Sequence, residues 1–539
     1  MKLVSVQQMR DLEKEADQKG LSYSEMMQHA GAGVAEVIMS RYAGSKGSML
    51  VVGLAGPGNN GGDTIVALTN MQRAGWNTRG VCFFRKQEPD PLVDAYLQSG
   101  GVILLYTENQ PIFDRMDASC ILLDGLLGTG TQLPLKPKMA ELLASIQSQL
   151  RDQDQAPDVI AVDCPSGIDC DSGETPDVVL DADLTICMGA VKKGLLEPQA
   201  LQKCGELVAV PIGLDQAVPG WDANLAGEVA SDDLIREYLP ERKADGHKGT
   251  YGTAFIVGGM VEYTGAPLLA GRGAYVAGAG LVRVAVPESL HPILAGQLPE
   301  ATWILLPQVR GSIAEEAAGV IHRKLDQADS LLVGPGLGLD PSVKKFMARL
   351  FSPSNSRKEG SVGFLQSVEN EVVEKTRFPR LVVDADGLKC LAEMKEWWKL
   401  LPEMSVLTPH PGEMSVLNGL PVAEIQANRV ETALQSAKKW NHVVVLKGAE
   451  TVVAAPDGRY CIIPITTSAL AHAGTGDVLA GMIASLLAQG MEPYRAAVCA
   501  AYLHGRAGQV AAELVGSPAS VLAGDVVGAI GPVLGEFWQ

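Results

Sequence analysis

Two short glycine-rich runs each place an acid beside a ready-made anion site. Pro57-Gly58-Asn59-Asn60-Gly61-Gly62-Asp63 follows the apolar run 49–54, and Ala473-Gly474-Thr475-Gly476-Asp477 opens the apolar stretch 478–487. Each reads as a tight turn feeding a helix N-terminus, with an aspartate in the first turn. Free backbone N–H groups and the helix dipole make such a turn attractive to phosphate. An aspartate placed there is either a helix cap or a reactive group beside bound phosphate. Two such runs in one chain predict two active sites on two domains. The first run is neither a dinucleotide-fold G-x-G-x-x-G nor a P-loop, because it lacks the Lys-Ser/Thr pair.

Further acids end apolar runs in the first half. Residues 121–124 finish on Asp124 and lead into Gly125-Leu126-Leu127-Gly128-Thr129-Gly130-Thr131, and residues 159–163 lead into Asp163-Cys164-Pro165-Ser166-Gly167. Ligands of open α/β sheets bind beyond the carboxyl ends of the strands. Asp63, Asp124 and Asp163 are therefore expected to converge with Asn60 and Ser166 in an oxygen-rich cluster suited to a hard cation. Asp163 stands where a general acid/base belongs. Taken singly, Asp124 or Asp163 reads first as a cap or turn residue; three strand-end motifs on one sheet favour a site.

The second half repeats the logic with different groups. Gly474, Thr475 and Gly476 offer backbone donors to a phosphate or to charge developing during transfer. Asp477 is placed to take a proton from a hydroxyl. Lys447 adds a cation near a strand end, and His410 follows another strand as a hydrogen-bonding group. A lone histidine or lysine reads first as structural or solvated; their recurrence at successive strand ends changes that balance.

The elements that must hold these residues follow from periodicity. Residues 6–42 carry helical spacing of apolar side chains, and short apolar runs then alternate with helix-like stretches such as 64–74 and 138–150. Continuous apolar strands alternating with helices indicate a parallel sheet covered on both faces. The rhythm breaks over residues 215–248, with Pro219-Gly220 and a polar run, and the domain boundary is placed near residue 225. Alternation then resumes, ending in helical patterns over 474–489 and 493–515. Residues 352–380 are polar and read as a surface insertion without an assigned function.

At 539 residues the chain exceeds what one core supports. A net charge of −18 disfavours nonspecific binding to nucleic acid or anionic membrane, without excluding a local basic pocket. Nine cysteines with no C-x-x-C pair point to a reducing compartment rather than a disulfide framework. No signal-peptide pattern or uninterrupted apolar span is evident. The expectation is a cytoplasmic protein that forms a homo-oligomer.

The first-half motifs GPGNNGGD, DGLLGTG and DCPSG, with Gln8-Met9-Arg10-Asp11-Leu12-Glu13 near the N-terminus, resemble the NAD(P)H-hydrate epimerase domain. The likeness extends over about residues 1–215; the domain is assigned to 1–220. That family interconverts the R and S epimers of hydrated NADH and NADPH at the nicotinamide C6. The resemblance implies that Asn59, Asn60, Gly61, Gly62 and Asp63, with Gly128, Thr129, Gly130, Thr131, Gln132, Leu133 and Pro134, bind the substrate. Asp163 would contact it and move the proton, and Asn60, Asp124 and Ser166 would ligate a potassium ion. Three positions depart from the pattern: Thr64 stands where the family usually has Gly, Leu133 or Gln132 falls where it usually has Arg, and Cys164 replaces a common Ile or Val.

The second half, residues 228–539, is similar to the ribokinase-like fold and more closely to its NAD(P)H-hydrate dehydratase branch. HKG at 247–249, YTGA at 263–266, GPGLG at 334–338, DADGL at 384–388, TPHPGEM at 408–414, KGAET at 447–451 and AGTGD at 473–477 fall in family order. The fold class implied is α/β in two domains, a Rossmann-like α/β/α sandwich followed by a ribokinase-like α/β/α domain. The resemblance implies ADP, with Mg2+, as the phosphate donor to the C6 hydroxyl. Ala266, Gly338, His410, Pro411, Gly412, Glu413, Met414, Ser415, Val416 and Asp477 would contact hydrated NAD(P)H. Lys447, Gly448, Ala449, Glu450 and Thr451 would hold ADP, together with Thr467, Ser468, Ala469, Leu470, Ala471, His472, Ala473, Gly474, Thr475 and Gly476. Asp477 would be the base. Two other readings remain open: a small-molecule kinase, which would use the same helix-start aspartate, and a noncatalytic binding or dimerisation role for the first half.

Overall fold

The computed structural model describes residues 1–84, 90–106, 120–151, 156–351 and 377–538. Most of the expected insertion, residues 352–376, lies outside them. The chain divides into two compact units, Met1–Val229 and Ala230–Gln539.

In the first unit the helical stretch 6–42 splits into α1 (Val6–Gln18) and α2 (Tyr23–Arg41), because each has its own start signal. Ser5 and Gln8 form one capping box, and Ser22 and Glu25 another, each satisfying backbone N–H groups the helix cannot pair itself. The sheet comprises β1 (Leu50–Ala55), β2 (Asn77–Cys82), β3 (Val102–Leu105), β4 (Cys120–Gly125), β5 (Asp158–Val162), β6 (Leu184–Met188) and β7 (Glu206–Val210). It is wholly parallel, in the order β3-β2-β1-β4-β5-β6-β7. Side chains alternate between the two faces. Val51, Ala55, Ile121, Leu123, Ile160 and Val162 pack with α2 and α3 (Asn59–Arg73); Val52, Leu54, Leu122, Val159 and Ala161 pack with the other layer. The strand order reverses between β1 and β4, which opens a crevice at their carboxyl ends.

In the second unit the sheet comprises β8 (Thr253–Val257), β9 (Leu281–Pro287), β10 (Thr302–Leu306), β11 (Ser330–Val333), β12 (Arg380–Val383), β13 (Val406–Leu407), β14 (Val443–Leu446), β15 (Val452–Ala454) and β16 (Tyr460–Ile462). Its order is β16-β15-β14-β13-β12-β11-β8-β9-β10, parallel from β14 through β10 and antiparallel over β14-β15-β16. Strands β10 and β15 escaped the sequence reading. β10 is half exposed at the sheet edge. α4 (Gly265–Val276) and α6 (Thr475–Ala488) touch through small residues. A Cβ on Gly481 would lie 2.0 Å from the Ala270 carbonyl oxygen, so only glycine permits the contact. α7 (Pro493–Val515) buries most of one face on the same core. No helix among the described residues is long and apolar enough to cross a membrane.

Candidate functional sites

The two glycine runs differ in local structure. α6 begins at Thr475 after Gly474, whose φ of +94° suits glycine, and Asp477 lies in the first helical turn as expected. α3 begins earlier than expected, at Asn59, so Asn60, Gly61 and Gly62 are helical and Asp63 lies in the second turn. The expected first-turn position for Asp63 is therefore wrong. Packing accounts for much of the glycine content: a Cβ on Gly61 would sit 2.1 Å from the Gly56 carbonyl oxygen, and one on Gly56 would sit 1.9 Å from that of Leu126. Gly58, with nothing within 4 Å of a Cβ, faces open space. Thr64 also has a packing role. It is fully buried, donates to the Asn60 carbonyl at 2.9 Å, and fills the space left by Gly125.

A cleft of about 700 Å³ opens at the β1/β4 crevice. Asn59, Asn60, Asp63, Gly128, Thr129, Gly130, Thr131 and Asp163 line it as the sequence reading expects. Gly61 and Gly62 are buried beneath it. Gln132 instead lines a neighbouring cleft of about 390 Å³, and Leu133 and Pro134 line neither. The Thr131 hydroxyl and N–H both close back on the Gly128 carbonyl, and this tight turn carries the chain out of the cleft after Thr131. Sequence reasoning gave no role to the polar face of α1, yet Gln7, Arg10, Asp11, Glu13 and Lys14 all line the cleft. Its spacing located the buried Met9 face, and nothing in that spacing says what stands opposite.

The five oxygen-bearing groups expected to form one cluster separate into two. Asp124, fully buried, accepts from the Ser166 hydroxyl at 2.6 Å and the Ser166 N–H at 2.8 Å. Ser166 Oγ also accepts the Leu127 N–H at 2.8 Å, and Asn60 Nδ2 donates to the Leu127 carbonyl at 2.7 Å. Burial raises the Asp124 carboxyl above the usual range against the pull of these hydrogen bonds. Asn60 Oδ1 is buried without a partner. An orphaned carbonyl oxygen beside a carboxylate and a hydroxyl is a fitting donor set for a weakly held cation. Among the described residues, no three His, Cys, Asp or Glu side chains are grouped to hold a metal, so the acids do not converge as one carboxylate cage.

Asp163 belongs to the second group. It follows β5 with a left-handed φ of +66°, a conformation that suits a functional position. Its carboxylate accepts the Met188 N–H at 3.0 Å and pairs with Lys192, whose ammonium also donates to the Met188 carbonyl at 3.1 Å. Lys192 is 1% exposed. Burial opposes its charge, the Asp163 carboxylate is the main group favouring it, and the ammonium ends above its ordinary range. The sequence reading missed Lys192. The available signal was a lysine set directly after an apolar run, at Val191-Lys192.

In the second unit a cleft of about 530 Å³ is lined by Lys447, Gly448, Ala449, Thr451, Thr467, Ser468, Leu470, Ala471, Thr475 and Gly476. Glu450 and Ala469 are buried, and His472, Ala473 and Gly474 stand outside the lining. Ile465, Thr466, Leu479 and His504 line the cleft as well, on segments the motifs did not reach. Burial holds His504 neutral, down to about 4, and its Nε2 is buried without a partner.

Beside the cleft, Lys447 Nζ lies 2.8 Å from Asp384 and 3.8 Å from Glu413. The Thr408 hydroxyl donates to Asp384 at 2.6 Å. Burial pushes the Asp477 carboxyl up to about 7; Asp384 adds to the rise and Lys447 opposes it. The expected substrate contacts lie outside the cleft. His410 Nδ1 caps α5 (Pro411–Asn418) through the N–H groups of Gly412 and Glu413, and Glu413 returns the bond to the His410 N–H at 2.9 Å. Met414 is buried, Ser415 donates to the Leu420 carbonyl, and Val416 is exposed. The Gly338 N–H donates to Asp386 at 3.0 Å, and Ala266 abuts Gly336.

A family model described as NAD(P)H-hydrate dehydratase matches residues 254–530, and one described as YjeF-related protein N-terminus matches residues 23–194. The bifunctional NAD(P)H-hydrate repair enzyme Nnr of Moorella thermoacetica is 32% identical over 537 residues, 98% of this chain and 95% of that protein. The chain belongs to the bifunctional NAD(P)H-hydrate repair enzyme family. Family members of the same description in Thermofilum pendens and Escherichia coli are 34% and 33% identical, over 95% and 93% of this chain and 92% and 88% of theirs. The crystal structure of ADP/ATP-dependent NAD(P)H-hydrate dehydratase from Bacillus subtilis, co-crystallised with ATP and Mg2+, is 32% identical with a TM-score of 0.47, over 57% of this chain and 98% of that one.

Proposed function

We propose that the two units divide one repair between them. The first epimerises the R and S forms of hydrated NADH and NADPH at C6, and the second dehydrates the S form to NAD(P)H at the expense of ADP. The observation that carries this reading is Asp477. It is a half-buried carboxyl poised near neutral pH, in the first turn of α6, beside a cleft lined by Lys447 and the 475–476 backbone. A base with that poise is ionised often enough to act and basic enough to take a hydroxyl proton. The N-terminal turn of α6 presents backbone donors to the transferring phosphoryl group, and Lys447 supplies a positive charge.

In this reading ADP occupies the 530 Å³ cleft. Mg2+ arrives on its phosphates, because the described residues present no protein cage for it. In the first unit Asp163 moves protons at C6. Arg10 and Lys14, at the rim of the cleft, replace the missing loop arginine as cations for substrate phosphate. A potassium ion would be held by Asn60 Oδ1, Asp124 and Ser166 and would neutralise the buried carboxylate.

One coupled assay tests the assignment: racemic hydrate with ADP or ATP, with and without potassium. Complete conversion to NAD(P)H requires both activities. Conversion that stops near half leaves only the second unit active, and a stable phosphorylated product would replace the dehydratase reading with a kinase.

A further inference from the structure

Four carboxyl groups line the first cleft, and three of them, Glu13, Asp63 and Asp163, act on one another. Among the described residues only Asp163 pairs with a fully buried cation. Lys192 pairs with Asp163, and its second hydrogen bond goes to the Met188 carbonyl, not to another acid. Asp63 lies in the second turn of α3, beyond the reach of N-terminal capping, and pairs with no cation among the described residues. The groups facing it are Asp163 after β5, Glu13 on α1, and Lys192 beyond Asp163. Burial drives the Asp63 carboxyl well above its ordinary range, and Asp163 and Glu13 add to the rise. Burial likewise raises Glu13, with Arg10 beside it on α1. Lys192, the fully buried cation of the site, is held by Asp163, so Asp63 keeps its proton more readily than a free carboxyl does.

The substrate named above sets what such a pair must do. The C6 carbon carries a hydroxyl and is bonded to the ring nitrogen. Its C–H bond has no adjacent carbonyl, so inversion by removing that proton has no stabilised anion to form. The ring nitrogen can instead expel the oxygen, provided the oxygen leaves as water. That route needs an acid for departure and a base for return. Two neighbouring carboxyl groups held in opposite protonation states supply both.

We propose that Asp63 is the acid of the first site and Asp163, fixed by Lys192, its base, so that epimerisation runs by loss and return of water at C6. The inference rests on the epimerase reading of this unit. Asp63 gives its proton to the C6 hydroxyl, and the C6–O bond breaks with its electron pair on the departing water. The nitrogen lone pair forms the C=N bond of a cyclic iminium. Water then adds to the opposite face, the C=N pair returns to nitrogen, and the added water loses a proton to Asp163. One proton has moved from Asp63 to Asp163, and transfer back through solvent restores the site. Asp63 is thereby a catalytic residue and Lys192 a positioning residue.

The test uses the full chain and the R hydrate in ¹⁸O-water. Each inversion by the wild-type protein should place one ¹⁸O on C6 of the S product. Asp63→Asn is nearly isosteric; it should lower kcat for epimerisation by about 100-fold or more, with KM within about threefold. The wild-type rate should fall as rising pH deprotonates Asp63. Lys192→Met should lower kcat for epimerisation by about 10-fold or more with KM within about threefold, and Lys192→Arg should restore part of that rate, a pattern that a packing role alone would not produce. Unlabelled S product, or Asp63→Asn within about threefold of the wild-type rate, overturns the proposal and leaves the epimerase reading standing. A wild-type chain that does not epimerise the hydrate at all overturns both.

Discussion

The substitution Asp477→Asn should abolish dehydration and at the same time stabilise the protein above neutral pH. The carboxyl sits at about 7 in the folded chain, against about 3.9 for an unperturbed aspartate. A group whose folded pKa is raised contributes stability that is fully present below its unfolded value. That stability is lost as pH climbs through about 7, because the folded chain must then carry a buried charge. Three pKa units correspond to an upper bound of ~4 kcal/mol at pH 8. Asparagine carries no charge to bury, so the variant should exceed wild type by up to that amount at pH 8 and match it near pH 4. The assay is urea unfolding of the full chain at both pH values, read on the transition that ADP shifts, since bound nucleotide stabilises only the unit that holds it. ADP-dependent recovery of reduced-nicotinamide absorbance from the S hydrate, followed in parallel, should vanish. An equal stability difference at pH 4 and pH 8 would refute burial as the cause of the raised pKa. Dehydration near the wild-type rate would refute Asp477 as the base. The trade of stability for a poised charge is common at active sites.

Asp163→Ala should slow R-to-S exchange by chiral chromatography while S-hydrate dehydration continues; unchanged exchange would remove Asp163 from the chemistry. Gly61→Ala should lower the stability of the first unit by several kcal/mol, because its Cβ meets the Gly56 carbonyl at 2.1 Å, whereas Gly58→Ala meets nothing and should be tolerated, a contrast that thermal unfolding reads directly. Asn60→Leu should remove any potassium dependence of epimerisation, because it deletes the orphaned Oδ1; a variant with an unchanged potassium response would place the ion elsewhere.

The sequence alone located both glycine-rich runs, the strand–helix alternation, most residues lining the second cleft and fewer than half of those lining the first. These are local signals. Apolar runs, glycine turns and strand-end acids are written in contiguous residues, and a parallel sheet converts strand ends into one functional edge. The sequence reading failed where a property depends on what stands opposite. Asp63 and Asp477 end similar strings, yet one lies in the second turn of its helix and the other in the first. The reason is that close backbone contacts at Gly56 and Gly61 let α3 begin at Asn59. Lys192 read as one lysine among many until folding buried it against Asp163. The polar face of α1 had no role in the sequence reading, yet in the fold it lines a cleft. The protonation of a carboxyl depends on its burial and on how many cations face it. Both are sums over residues far apart in the chain, and only the tertiary structure assembles them.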